Sequence, residues 1–221
     1  MTTPPQIQHV VWDWNGTLLD DTALCIEIMN GLLAERGLPL LDEARYRRLF
    51  DFPVIEYYRR LGFDFSRDPF DVVGAEFIRR YEARRSEAPL QPRARETLAA
   101  LKGAGFAQHV LSAYHAGTLE TLLAEKGVRD FFEDVVGSDN VYAHGKLDQG
   151  REWIQRRRLN PSEVLLIGDT RHDFEVARAM GCLCLLVADG YHPREKLEPL
   201  GAPVVDDLRG VCEFLGLPEG S

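Results

Sequence analysis

The chain has 221 residues, 45% of them hydrophobic, which is enough to bury the core of one substantial domain or two small ones and too apolar for a disordered chain. A formal net charge of −9 excludes the basic face of a general nucleic-acid binder or membrane-surface protein and leaves small molecules and ions as expected partners. No apolar run reaches the length of a membrane span, and Met1–Gln6 lacks the regions of a signal peptide, so a cytoplasmic monomer or homodimer is expected.

Ile7 to Trp12 is apolar and β-branched, the texture of a buried parallel strand, and Gly16 lets the chain turn sharply beyond it. Asp13 then stands at the strand's C-terminal tip, where ligands bind in open α/β sheets. From Asp21 to Glu35, Leu24, Ile28 and Leu32 recur at helical spacing, and Gly37 with Pro39 closes the segment. Asp42-Glu43 opens a second helix through Leu49. Pro53 suits the first turn of a third, ending near Leu61-Gly62, and Asp68-Pro69 begins a fourth running to about Glu87. No strand signal interrupts residues 20 to 88.

After Pro92 the texture alternates. A helix ending at Lys102-Gly103 leads to a strand over 106–111, a helix over 117–126, a strand over 134–136 and a helix over 147–158. A strand over 164–167, a helix over 173–180 and a strand over 183–187 follow. The expected fold is therefore α/β. A Rossmann-like parallel sheet core (1–19 and 89–221) carries an inserted four-helix cap (20–88) beside Asp13. Cys25, Cys182, Cys184 and Cys212 show no C-x-x-C spacing and are expected as buried free thiols.

Gly168-Asp169-Thr170-Arg171-His172-Asp173 follows the apolar run Val164–Ile167 and so puts acids at a second strand tip. Asp173 falls at a helix start, where it could cap the helix or join the site. Asp13, Asp169 and Asp173 gathered in one crevice would repel each other unless a divalent cation neutralised them, and hard oxygen donors in that number point to magnesium. Ser112, at a further strand end, and Lys146, in the loop His144-Gly145-Lys146, could grip phosphate oxygens; a lone loop lysine is otherwise simply solvated.

In these motifs the chain resembles the haloacid dehalogenase superfamily of aspartate-nucleophile hydrolases, in the helical-cap subgroup similar to phosphoglycolate phosphatases. The match runs through Asp13–Leu18, Ser112, Lys146 and Gly168–Asp173. The resemblance implies that Asp13 attacks phosphorus to form an aspartyl-phosphate, and that Mg2+ is held by Asp13, Asp169, Asp173 and the main-chain carbonyl of Asn15. It implies that Ser112, Ala113, Lys146, Gly16 and Thr17 bind the phosphoryl group of a small phosphorylated metabolite.

One position departs from the pattern. Similar phosphatases carry a second aspartate, two residues after the nucleophile, that protonates the leaving group and later activates water; this chain has Asn15. An amide cannot exchange that proton. Losing a general acid/base costs about 10²–10⁴-fold, so an ordinary turnover of about 10 s⁻¹ would fall to between about 10⁻¹ and 10⁻³ s⁻¹. His172, Asp51 and Glu56 are candidate substitutes. Two alternatives follow from Asn15: a phosphometabolite-binding or regulatory protein, and a phosphotransferase. A dehalogenase needs no metal, against the Asp169 and Asp173 pair, and a cap-lysine Schiff base fails because residues 20 to 88 contain no lysine. Arg45, Arg47 and Arg48 could meet a substrate carboxylate or form surface ion pairs, and Trp14 could shape the entrance or pack half-buried.

Overall fold

The computed structural model describes residues 7–138 and 145–217; the expectations attached to Met1–Gln6 and His144 lie outside them. Strand β1 (His9–Trp12) is followed by α1 (Thr22–Ala34), α2 (Glu43–Leu49), α3 (Val54–Leu61) and α4 (Phe70–Glu82), with no strand between them. The chain continues through α5 (Ala94–Gly103), β2 (Ala107–His115), α6 (Ala116–Glu125), β3 (Asp134–Ser138), α7 (Lys146–Arg157), β4 (Val164–Gly168) and α8 (Arg171–Met180). It closes with β5 (Leu183–Val187), α9 (Arg194–Leu197), β6 (Val204–Val205) and α10 (Leu208–Phe214).

The six strands form one parallel sheet in the order β3-β2-β1-β4-β5-β6. Strand order reverses at β1, whose neighbours β2 and β4 lead the chain to opposite sides, so a crevice opens at the C-terminal ends of these strands. Register fixes what meets there. Trp12 lies opposite both Val110 and Ile167, so Asp13 leaves the sheet level with Leu111 and Gly168, and Ser112 and Asp169 follow one residue later.

Both sheet faces are covered, which is why the central strand β4 reads as a continuous apolar run. Val10, Trp12, Val110, Leu165 and Ile167 enter one core cluster; Val11, Leu111, Val164 and Leu166 point the other way into a second with Trp153, Val176 and Met180. The first cluster extends without a break into Leu32, Tyr57, Leu61 and Val73 of α1, α3 and α4.

The four helices leave and rejoin the sheet at adjacent points. Asp20 donates its N–H to the Pro89 carbonyl, Gln91 to the Leu18 carbonyl, both at 2.9 Å, and Leu19 bridges Leu90 antiparallel. Local chemistry sets their ends. Asp42 caps α2 by accepting the Arg45 N–H at 2.7 Å, and Gly62 closes α3 in the left-handed region at φ 99°. Pro53 is the residue before α3 rather than its first helical position. Helix α4 stops at Glu82, short of Glu87; a 3₁₀ turn covers Arg85–Glu87, where Arg84 grips Glu87 and Glu27. Strand β2 runs past Leu111 to His115 through an irregularity in its pairing with β3.

The four cysteines are free, but only Cys25 is buried; Cys182, Cys184 and Cys212 are partly exposed. Among the described residues no helix is long and apolar enough to cross a membrane.

Candidate active site

Asp13 follows β1, donates its N–H to the Ile167 carbonyl at 2.9 Å, and turns its carboxylate towards Lys146, whose Nζ lies 2.5 Å from Asp13 Oδ1. The same ammonium bonds Asp173 Oδ1. Lys146 is expected in a loop, there gripping phosphate oxygens and offsetting Asp13 or else solvated; it is the first residue of α7, after Gly145, and only 5% exposed. A buried ammonium requires partners, and the two carboxylates supply them.

Asp173 answers both roles considered for it. Thr170 caps α8 and Asp173 completes a capping box, its Oδ2 accepting from the Thr170 N–H at 3.0 Å and the Thr170 hydroxyl at 2.6 Å. Its other oxygen faces Lys146. The helix cap thus holds one site carboxylate in a fixed rotamer.

Asp169 is fully buried and clasped from two sides. Thr17 donates its hydroxyl to Oδ1 at 2.8 Å, and the Tyr191 N–H donates to Oδ2 at 2.6 Å. Thr17 was expected on the phosphoryl group; its hydroxyl is committed to this carboxylate. Gly16 sits at φ 82°, and a Cβ there would run into Asp169, so the position needs glycine both for its backbone and for its missing side chain.

Ligand atoms of Asp13, Asp169 and Asp173 all lie within 4.8 Å of one another, with one ammonium among three buried carboxylates. Electrostatics follow from that imbalance. Burial pushes the Asp13 carboxyl up to about 7 despite the pull of Lys146, and burial with Asp173 and Asp13 as neighbours pushes Asp169 well above its ordinary value. Lys146 prevails over burial at Asp173, which is lowered, and the two acids overcome the desolvation of Lys146, whose own pKa rises. Excess buried negative charge, presented by hard oxygen donors, fits a divalent cation.

Ser112 is 2% exposed at the same level of the sheet and accepts the Tyr114 N–H at 3.2 Å, with Ala113 exposed beside it. Asn15 takes a different direction. Its Nδ2 donates to Asp21 Oδ2 at 2.8 Å and to the Tyr81 hydroxyl at 2.9 Å, tying it to α4 and the start of α1. Asp21, 1% exposed, also accepts the hydroxyls of Tyr81 and Tyr191 at 2.7 Å each. Burial pushes its carboxyl up against these three donors.

The other candidates are engaged elsewhere. His172 lies against the Phe52 ring, 4.9 Å between centroids, with Glu175 on its edge. Asp51 has Arg60 and His192 each at 3.9 Å, and Glu56 pairs with Arg59. Arg45 holds the carbonyls of Pro39 and Leu40, while Arg47 spans from Glu43 to the Asp189 carbonyl at 3.0 Å. Arg48 is exposed. Trp14 is fully buried rather than half-buried, with its Nε1 lacking a hydrogen-bond partner among the described residues.

Asp21, Tyr81 and Tyr191 were not anticipated. Asp21 reads as a helix-start acid and the tyrosines as packing; only Gly190, directly before Tyr191 and past a strand tip, hinted at a close approach, and a Cβ there would meet Asp169.

The family model described as haloacid dehalogenase-like hydrolase matches residues 10–187. A phosphoglycolate phosphatase of Rhodospirillum rubrum is 29% identical over 222 residues, covering 95% of this chain and 91% of that protein. An N-acetylmuramic acid 6-phosphate phosphatase of Pseudomonas putida is 28% identical over 207 residues, covering 91% and 92%. Among solved structures, a haloacid dehalogenase-like family hydrolase of Streptococcus pneumoniae superposes with a TM-score of 0.80 at 21% identity, over 94% of this chain and 98% of that one.

Proposed function

The chain belongs to the haloacid dehalogenase-like hydrolases, and from that premise we propose that it is a phosphatase, a phosphoric monoester hydrolase acting on a small phosphorylated metabolite. The observation that carries the proposal is the cluster at the sheet's switch point, in which Asp13 faces Lys146 while Asp173 and Asp169 stand within 4.8 Å.

In this reading Asp13 is the nucleophile. Its carboxylate attacks phosphorus, the bond from phosphorus to the ester oxygen breaks, and the alcohol leaves with its electron pair and takes up a proton. Water then attacks the aspartyl-phosphate, releasing inorganic phosphate and restoring the carboxylate. Lys146 holds Asp13 in place and, with Ser112, Ala113 and the main chain at Gly16 and Thr17, offsets charge on the phosphoryl oxygens. Mg2+, held by Asp13, Asp169 and the Asn15 carbonyl with Asp173 supporting, would supply charge neutralisation between two anions. Residues 20–88 serve as a cap domain over the core of 1–19 and 89–221, excluding water from the crevice.

Both curated relatives are named for phosphomonoesters, which supports the substrate class. The test is phosphate release from a panel that includes phosphoglycolate and N-acetylmuramic acid 6-phosphate, with and without Mg2+. Release that needs Mg2+ and Asp13 supports the reading. Binding of these compounds without any release would instead favour the regulatory alternative that Asn15 raises.

A further inference from the structure

The side chain at position 15 is not idle. Both N–H bonds of the Asn15 amide are used, one on Asp21 Oδ2 at 2.8 Å and one on the Tyr81 hydroxyl at 2.9 Å. Tyr81 passes its own proton to the same Asp21 oxygen at 2.7 Å, and Tyr191 gives its hydroxyl proton to Asp21 Oδ1 at 2.7 Å. Asp21 therefore accepts from Asn15, Tyr81, Tyr191 and, more weakly at 3.8 Å, the Cys25 thiol, and has no donor to offer. The cluster also touches the site by a second route, because the Tyr191 that holds Asp21 with its hydroxyl holds Asp169 with its main-chain N–H.

We infer that Asp21 is a positioning residue that dictates what position 15 can be: an acceptor at 21 demands a donor at 15, so the amide is the matched half of a carboxylate–amide pair. A carboxylate at the half-buried position 15 would set an acceptor against the buried Asp21 Oδ2. Replacing Asn15 by aspartate alone therefore breaks the cluster, whereas exchanging both residues rebuilds it with the carboxylate on the side of the nucleophile. The catalytic half of this inference rests on the phosphatase reading; the pairing rests on geometry alone.

The experiment compares the unaltered chain with Asn15→Asp, Asp21→Asn and the double exchange, reading thermal midpoints and the kcat and KM for p-nitrophenyl phosphate with Mg2+. Asn15→Asp is expected to melt roughly 3–12 °C lower, the loss of a part-buried hydrogen bond to a charged group in a chain of this size, and to gain no kcat. The double exchange should recover at least half of that midpoint and raise kcat by about 10²-fold, the lower end of what a positioned acid/base contributes, with KM changed less than threefold. That kcat-specific rescue is one a purely structural role would not produce.

An Asn15→Asp variant as stable as the unaltered chain overturns the pairing. So does a double exchange that stays as unstable as Asn15→Asp or fails to fold. Measurable turnover that is the same for Asn15→Asp with and without Asp21→Asn overturns the positioning role. If no variant releases phosphate, the phosphatase reading fails and the midpoints alone decide the pairing.

Discussion

Lys146 is the only cation bonded to Asp13 and Asp173 among the described residues, and replacing it with methionine would keep much of its apolar stem while removing the charge. Three carboxylates would then share a pocket in which their ligand atoms lie within 4.8 Å. Removing one partner of a buried pair costs about 3–5 kcal/mol, because the remaining charge loses its compensation. At about 2–4 °C per kcal/mol for a chain of this length, the midpoint should fall by roughly 6–20 °C in Mg2+-free buffer at pH 8. Two conditions should shrink that loss. At pH 6 Asp13, which burial raises and which in this variant has lost the lysine that holds it down, takes a proton and drops one negative charge. Millimolar Mg2+ should also narrow the gap, since an ion that binds only the folded state stabilises it by mass action. Differential scanning calorimetry of both proteins at the two pH values, with and without Mg2+, makes the comparison. A Lys146→Met protein that melts within 2 °C of the unaltered chain at pH 8 without Mg2+ would refute the reasoning, because the cluster would then not depend on its ammonium.

Three further outcomes are expected. Gly16→Ala forces an L-residue to φ 82° and drives a Cβ into Asp169, so it should cost on the order of 1–3 kcal/mol in urea denaturation and weaken Mg2+ binding measured by calorimetric titration. Thr170→Ala removes the cap of α8 and the hydroxyl on Asp173, lowering stability by about 0.5–2 kcal/mol and kcat along with it. His192 is fully buried, accepting the Arg171 N–H and donating to the Phe50 carbonyl, and burial lowers its pKa to about 4. A base whose folded pKa is depressed contributes stability above its ordinary value near 6.5 and loses it as pH falls towards 4. The stability gap between the unaltered chain and His192→Asn, read from urea midpoints, should therefore be larger at pH 7 than at pH 4.

What the sequence shows and what it hides divide along physical lines. Val164–Ile167 and, within Ile7–Trp12, the stretch Val10–Trp12 announce buried strands because burial on both faces forces continuous apolar runs, and an acid just past such a run lies at the sheet's ligand-binding edge whatever else the chain does. Asp13 and Asp169 were legible for that reason. The burial of Lys146 was not, since its partners lie 133 and 27 residues away and nothing local distinguishes it from a solvated lysine. Asp21 reads through its neighbours only as the start of α1, because its contacts with Tyr81 and Tyr191 span 60 and 170 residues. Strand β6 has two residues, too few to show a period, so the sheet's last edge had no signature.

The most direct test of the central claim is to locate the covalent phosphoryl group. Enzyme mixed with p-nitrophenyl phosphate and Mg2+, quenched in acid and digested, should yield a phosphorylated peptide whose modified residue is Asp13. Asn15 cannot activate water, so the adduct should accumulate, and Asp13→Asn should yield neither adduct nor released phosphate. Phosphate release that persists in Asp13→Asn, or an adduct on another residue, would contradict the account.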